Sequence, residues 1–196
     1  MPEANEHGFV EIRCRQLPDN AFQLVGHDWM LMTAEKDGVA NTMTVAWGGL
    51  GLMWGKNVVF VAVRPERYTY EFVEAAPTFS LTVFDESWRK MLAYCGTVSG
   101  RDEDKIKKSN LTLIHEGETP YFKECRLSFI CRKIMGTVFQ PEDFAVSDYD
   151  KFYGGANTKD GLGGGYHTLY IARIEKLLIK EGQPYLPEPK KASLKP

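Results

Sequence analysis

Six consecutive apolar residues, Val58-Val-Phe-Val-Ala-Val63, place the strongest constraint on what this chain can become. A continuous run of this kind predicts a strand buried on both faces. Further strand patterns surround it. Phe22 to Thr33 is mostly apolar and aromatic, and Glu35-Lys36-Asp37-Gly38 then suits a hairpin turn into Asn41 to Trp47. Phe79 to Phe84, Arg126 to Val138 and His167 to Ile179 complete a series of about six or seven strands.

Helix signals are short and scattered. Thr69 to Ala76 has Thr69 as a possible N-cap, Glu71 where the helix dipole favours negative charge, and Pro77 as a stop. Ser87 to Tyr94 puts Trp88, Met91 and Leu92 on one face with Gly96 beyond its end, and Asp102 to Lys108 predicts a third helix. Strands in hairpin-like succession, broken by short helices, favour an antiparallel barrel over a doubly wound parallel sheet. Gly48-Gly49-Leu50-Gly51 and the glycine-rich stretch Gly154 to Gly165 read as loops, the second a mobile one, and Pro184 to Pro196 as a frayed tail.

Composition removes several functions. The chain has 196 residues, 43% of them hydrophobic, with 24 Lys+Arg against 26 Asp+Glu and a net charge of -2. That near-neutral balance argues against nucleic acid and anionic membrane surfaces as partners. No apolar run approaches the roughly 20 residues of a membrane helix, and the amino end lacks a secretory pattern, so a cytoplasmic protein is expected. The four cysteines form no Cys-x-x-Cys pair and read as free thiols, and the four histidines show no metal-ligand spacing. Ser87-Trp88-Arg89-Lys90 lacks the companion motifs of penicillin-recognising enzymes, and neither Gly49-x-Gly51 nor Gly161-x-Gly163-Gly164-Gly165 completes a nucleotide-binding fingerprint.

Three segments together carry a resemblance. They are Asn41-Thr-Met-Thr-Val-Ala-Trp47-Gly48, Val63-Arg64-Pro65-Glu66-Arg67-Tyr68-Thr69-Tyr70-Glu71 and Ser99-Gly100-Arg101-Asp102-x-Asp104-Lys105, followed by Cys131-Arg132-Lys133 and Tyr166-His167-x-x-Tyr170-Ile171. In this order the chain resembles the flavin reductase-like family, in particular its flavoredoxin-type branch, over roughly residues 20 to 180 of a single domain spanning 1–196. The resemblance implies an FMN-binding split β-barrel that forms a homodimer. One departure is Ile171-Ala172-Arg173, where many relatives carry a nearby glycine.

FMN needs groups for its phosphate, donors for the polar edge of its ring and apolar walls for the ring faces. Arg64, Arg67 and the Thr69 hydroxyl, with Tyr68 between them, suit the phosphate, helped by N–H groups of a helix starting at Thr69. Composition alone reads the two arginines as solvated strand ends. Asn41 offers a donor and an acceptor to the imide edge, Met43 and Trp47 offer apolar cover, and the resemblance adds backbone N–H groups of Thr42, Met43, Thr44 and Val45. Without the resemblance this stretch is a strand with an aromatic core residue.

Ser99, Gly100 and Lys105 lie on a matched turn and helix start. Lys105 is the candidate for stabilising charge near flavin N1, with a solvated basic helix as the plain alternative. His167 follows the glycine-rich stretch where the wider family places a histidine near flavin or nicotinamide, and it is expected to orient the ring or the hydride donor. The implied activity is reduction of bound or free flavin by NADH or NADPH, with electrons passed to an acceptor. The alternative is a flavoredoxin-like shuttle between redox partner proteins.

Overall fold

The computed structural model describes residues 3–146, 152–153 and 165–188. The glycine-rich segment 154–164 and the chain from 189 onward lie outside them. The strands are β1 (Phe9–Ile12), β2 (Met30–Lys36), β3 (Val39–Val45), β4 (Gly48–Met53), β5 (Lys56–Val63), β6 (Thr78–Val83), β7 (Leu113–Glu116), β8 (Thr119–Phe122), β9 (Leu127–Val138) and β10 (Thr168–Lys180). The helices are α1 (Tyr68–Ala75), α2 (Arg89–Thr97) and α3 (Lys105–Lys108). The main sheet runs β3-β2-β6-β9-β10-β5-β4 with β1 added to β10, every pair is antiparallel, and β7 and β8 form a separate hairpin. This is the antiparallel barrel architecture that the strand succession predicts.

The sheet is covered on both sides. Along β2, Met30, Met32 and Ala34 enter the main core with Phe79, Leu81 and Phe129, while Leu31 joins Phe84, Leu92 and Phe122 beneath α2 and β8. The period-two alternation of a strand therefore feeds two cores from one segment. On β5, Val59, Val61 and Val63 face the main core, but Phe60 and Ala62 are only half-buried. The apolar hexad is thus enclosed on one face and part-open on the other, which leaves space for a cleft.

Several boundaries differ from the sequence reading. Phe22 to Thr33 is not one strand: Gln23–Asp28 forms a π-helical turn, and Trp29 takes φ 65 before β2 begins. That backbone is unfavourable for a residue with a Cβ, and Arg89 clamps it by donating to the carbonyl of Asp28 at 3.2 Å and lying 3.6 Å over the Trp29 ring. Gly48 to Gly51 belongs to a strand rather than a loop. A Cβ on Gly48 would stand 2.0 Å from the Phe60 carbonyl oxygen, so close pairing with β5 requires glycine there. The Trp54-Gly55 turn closes this hairpin with φ 51 and 68, as Asp37-Gly38 closes the β2–β3 hairpin with φ 52 and 75.

The helices also shift. α1 starts at Tyr68 with Arg67 as N-cap and no side-chain capping bond, so Thr69 is not the cap. α2 begins at Arg89 after a 3-10 turn and includes Gly96, where a Cβ would approach Thr44 Cβ to 3.3 Å. α3 is confined to Lys105–Lys108, capped by Asp104, whose side chain accepts from the Lys107 N–H at 3.0 Å.

Candidate functional site

The part-open face of β5 forms one wall of a cleft of about 230 Å³. The end of β3 and its continuation (Met43 to Trp47) form a second wall, β5 contributes Ala62, and Arg64 follows it. Arg67, Gly96 of α2 and His167 complete the lining. A smaller pocket of about 80 Å³ adjoins it, bounded by Glu66 to Thr69, Thr97 to Ser99, and Lys105. Met43 and Arg67 line both, which joins a slot that carries Met43, Val45 and Trp47 to a small cup that carries Arg67 and Lys105.

α2 anchors the junction. Thr44 donates its hydroxyl to the Leu92 carbonyl at 2.5 Å, Arg67 donates to the Gly96 carbonyl, and Lys105 Nζ donates to the Cys95 carbonyl at 3.1 Å. Both cations sit at the end of a helix where the macrodipole is negative, a placement that favours positive charge. Lys105 is 3% exposed, so it is not part of a solvated basic face. Burial lowers its pKa to about 8, with Arg67 adding to the fall, and nearby Cys95 is pushed up by its own burial. An amine depressed to that value remains mostly charged at neutral pH.

The predicted residues divide into groups. Met43, Thr44, Val45, Trp47, Arg64, Arg67 and His167 line the cleft, and Tyr68, Thr69, Ser99 and Lys105 line the cup with Arg67. Arg64 is therefore at the slot rather than the cup, where it donates to the Phe152 carbonyl at 3.1 Å. Asn41 lines neither space. Its amide donates to Thr69 Oγ1 at 2.9 Å in a buried bond that ties β3 to α1, and Gly100 lies against it so closely that a Cβ would fall 2.2 Å from Asn41 Oδ1. Gly100 thus serves the approach of the 99–100 turn to β3. Thr42 points away, donating to the Met32 carbonyl at 3.1 Å and pairing with Thr33 Oγ1 at 2.9 Å.

Aromatic side chains shape the slot. The rings of Trp47 and His167 stack at 4.8 Å with 29° between planes, and Phe152 meets Trp47 edge-on at 5.3 Å. His167 is buried, with Nδ1 3.0 Å from the Tyr153 hydroxyl. Sequence reasoning did not single out Glu66, Gly96, Thr97, Phe152 or Tyr153 as site residues. Glu66 lies within the Val63 to Glu71 segment, but only burial marks it: Oε2 finds no hydrogen-bond partner among the described residues. A Cβ on Gly165 would lie 1.9 Å from Glu66 Oε1. Among the described residues no helix is long and apolar enough to cross a membrane.

Comparisons with known proteins converge on one family. An uncharacterized protein of Archaeoglobus fulgidus is 32% identical over 130 residues, which span 59% of this chain and 69% of the relative. The fold is shared with an FMN-binding domain of a flavin reductase-like enzyme from Shewanella baltica, at TM-score 0.62 and 18% identity, covering 88% of this chain and 77% of that one. It is shared equally with a flavoredoxin from Methanosarcina acetivorans, at TM-score 0.61 and 20% identity, covering 86% and 89%. These are split barrels dominated by an antiparallel sheet, as this chain is. The model of the flavin reductase like domain matches residues 23–187, and the chain belongs to that family.

Proposed function

We propose that the protein is an FMN-binding oxidoreductase that reduces flavin with NADH or NADPH and passes the electrons to free flavin or another acceptor. The observation that carries this reading is the sharing of Arg67 and Met43 by a slot lined with Met43, Val45 and Trp47 and a cup that holds Arg67 and Lys105. A planar tricycle joined through a short polyol to a phosphate has that same succession of needs.

The residues present fit the cofactor. Arg67, Lys105 and Ser99 would hold the phosphate in the cup, and the first turn of α1 adds its positive dipole end. Glu66 Oε2, without a hydrogen-bond partner among the described residues, offers an acceptor, and the ribityl chain carries hydroxyl donors. Met43, Val45 and Trp47 would cover the ring, and Arg64 or His167 would set its orientation at the slot. Lys105 belongs to the phosphate end in this arrangement, rather than beside flavin N1. When bound, FMN supplies hydride acceptance and electron release. The protein's part is to orient the ring, exclude water from one side of it and hold the anionic end.

A second reading, an electron shuttle without nicotinamide oxidation, is favoured by the packing of Phe152 against Trp47, which braces that wall of the slot. Anaerobic addition of NADH and then NADPH to the flavin-loaded protein separates the two. Rapid bleaching by either nucleotide supports the reductase. Bleaching by dithionite alone supports the shuttle.

We further propose a homodimer. Its support is the exposed apolar surface of the edge strand and its turn, where Leu52 is 72% and Trp54 58% exposed.

A further inference from the structure

We propose that Tyr153 is a positioning residue that holds His167 in the wall of the cleft as the neutral tautomer protonated at Nε2. The phenol oxygen lies 3.0 Å from His167 Nδ1, and the two rings meet edge to face at 5.6 Å. Tyr153 is 8% exposed, stacked on Tyr166 at 4.7 Å and tilted against Phe144 at 5.5 Å. In those apolar surroundings His167 Nδ1 is the hydroxyl's one hydrogen-bond partner among the described residues.

That burial decides the direction of the bond. If Nδ1 carried the proton and donated to the phenol oxygen, the phenol O–H would be left as a buried donor with no acceptor among the described residues, an unfavourable state. If the phenol donates to an unprotonated Nδ1, the hydroxyl and Nδ1 are both satisfied. The imidazole proton then sits on Nε2. Burial also keeps the phenol protonated, raising its pKa above the ordinary tyrosine value. The neighbouring residue reinforces the placement: Phe152 gives its carbonyl to Arg64 and its ring edge to Trp47, so this dipeptide is docked on three groups of the cleft.

The consequence for His167 is a fixed role. Stacked on Trp47 and bonded through Nδ1, it stands in the cleft wall as a neutral imidazole of set orientation. Its importance to the ligand rests on the flavin reading above, whereas its tautomer does not.

The test uses the full-length protein with isotope-labelled histidine, read by long-range proton–nitrogen correlation spectra above neutral pH without flavin. His167→Gln assigns the signal by its loss. Wild-type protein is expected to show His167 protonated at Nε2, and Tyr153→Phe, which keeps the ring, is expected to move the signals toward a tautomer mixture. Tyr166→Phe alters the same stack but keeps the Tyr153–His167 bond and should leave them unchanged, which separates loss of the Tyr153 hydroxyl from loosened packing. FMN affinity in Tyr153→Phe should fall about three- to tenfold, the effect of one neutral hydrogen bond. Wild-type His167 protonated at Nδ1, or signals unmoved in Tyr153→Phe, overturns the proposal. If the tautomer shifts as expected but wild-type protein binds no FMN, the lock stands and the flavin reading fails.

Discussion

Arg67 and Lys105 donate to consecutive carbonyls, those of Gly96 and Cys95, in the last turn of α2. Two cations from different elements are thereby brought to the rim of one small pocket. Both point their charge at the negative end of that helix. In the proposed reading the cup takes an anion because the end of α2 gathers Arg67 and Lys105 there, not through a run of basic residues.

Removing either cation should weaken FMN. Arg67→Ala and Lys105→Met are each expected to reduce affinity about tenfold or more, because a charge-assisted hydrogen bond contributes about 1.5 to 3 kcal/mol. Fluorescence quenching of FMN during titration measures this. Wild-type affinity in the double variant would remove the phosphate end from the cup. Thr69→Ala is expected to act partly through the fold, since the Thr69 hydroxyl accepts from Asn41.

Lys105 also predicts a pH effect on stability. Its pKa is lowered from 10.5 to about 8 in the folded chain. Between those values the unfolded chain holds a proton that the folded chain has lost, so the Lys105 contribution to stability rises with pH across that window and is flat below it. Urea unfolding of wild type and Lys105→Met should therefore show the variant's relative advantage greatest near neutrality and shrinking toward pH 10. A difference independent of pH would mean that the amine is solvated.

Gly100→Ala tests the turn beside the cup. A Cβ 2.2 Å from Asn41 Oδ1 and 3.0 Å from the Tyr68 ring must displace both. A loss of about 1 to 3 kcal/mol is expected in denaturant unfolding. Unchanged stability would show that the 99–100 turn stands away from β3.

The dimer is checked by sedimentation equilibrium. Wild-type protein is expected to be dimeric, and Leu52→Glu with Trp54→Glu is expected to shift it toward monomer, because both residues are exposed on the chain alone. A flavin-loaded wild-type monomer would contradict the expectation.

Legibility in the sequence followed the range of the forces involved. The β5 hexad and the Asp37-Gly38 turn declare themselves locally, through side-chain burial and positive φ, and they place the barrel. β4 was hidden because its glycines imitate a loop, although they are there to admit the Phe60 carbonyl. The break at Trp29 depends on Arg89, sixty positions away in the chain by roughly that count, and no local pattern announces such a clamp. The site behaves likewise. Resemblance pointed to Arg67, Trp47, Lys105 and His167, which line the two spaces, but it could not separate the lining side chains from Asn41 and Thr42, which bond internally. Tyr153 bears on the site only through a contact fourteen residues along the chain.

The central claim is that the joined slot and cup hold one FMN. Purified protein saturated with FMN, freed of excess and then denatured, is expected to release close to one FMN per chain and to show a bound-flavin visible band before denaturation. Protein that stays colourless and quenches no added FMN would contradict it.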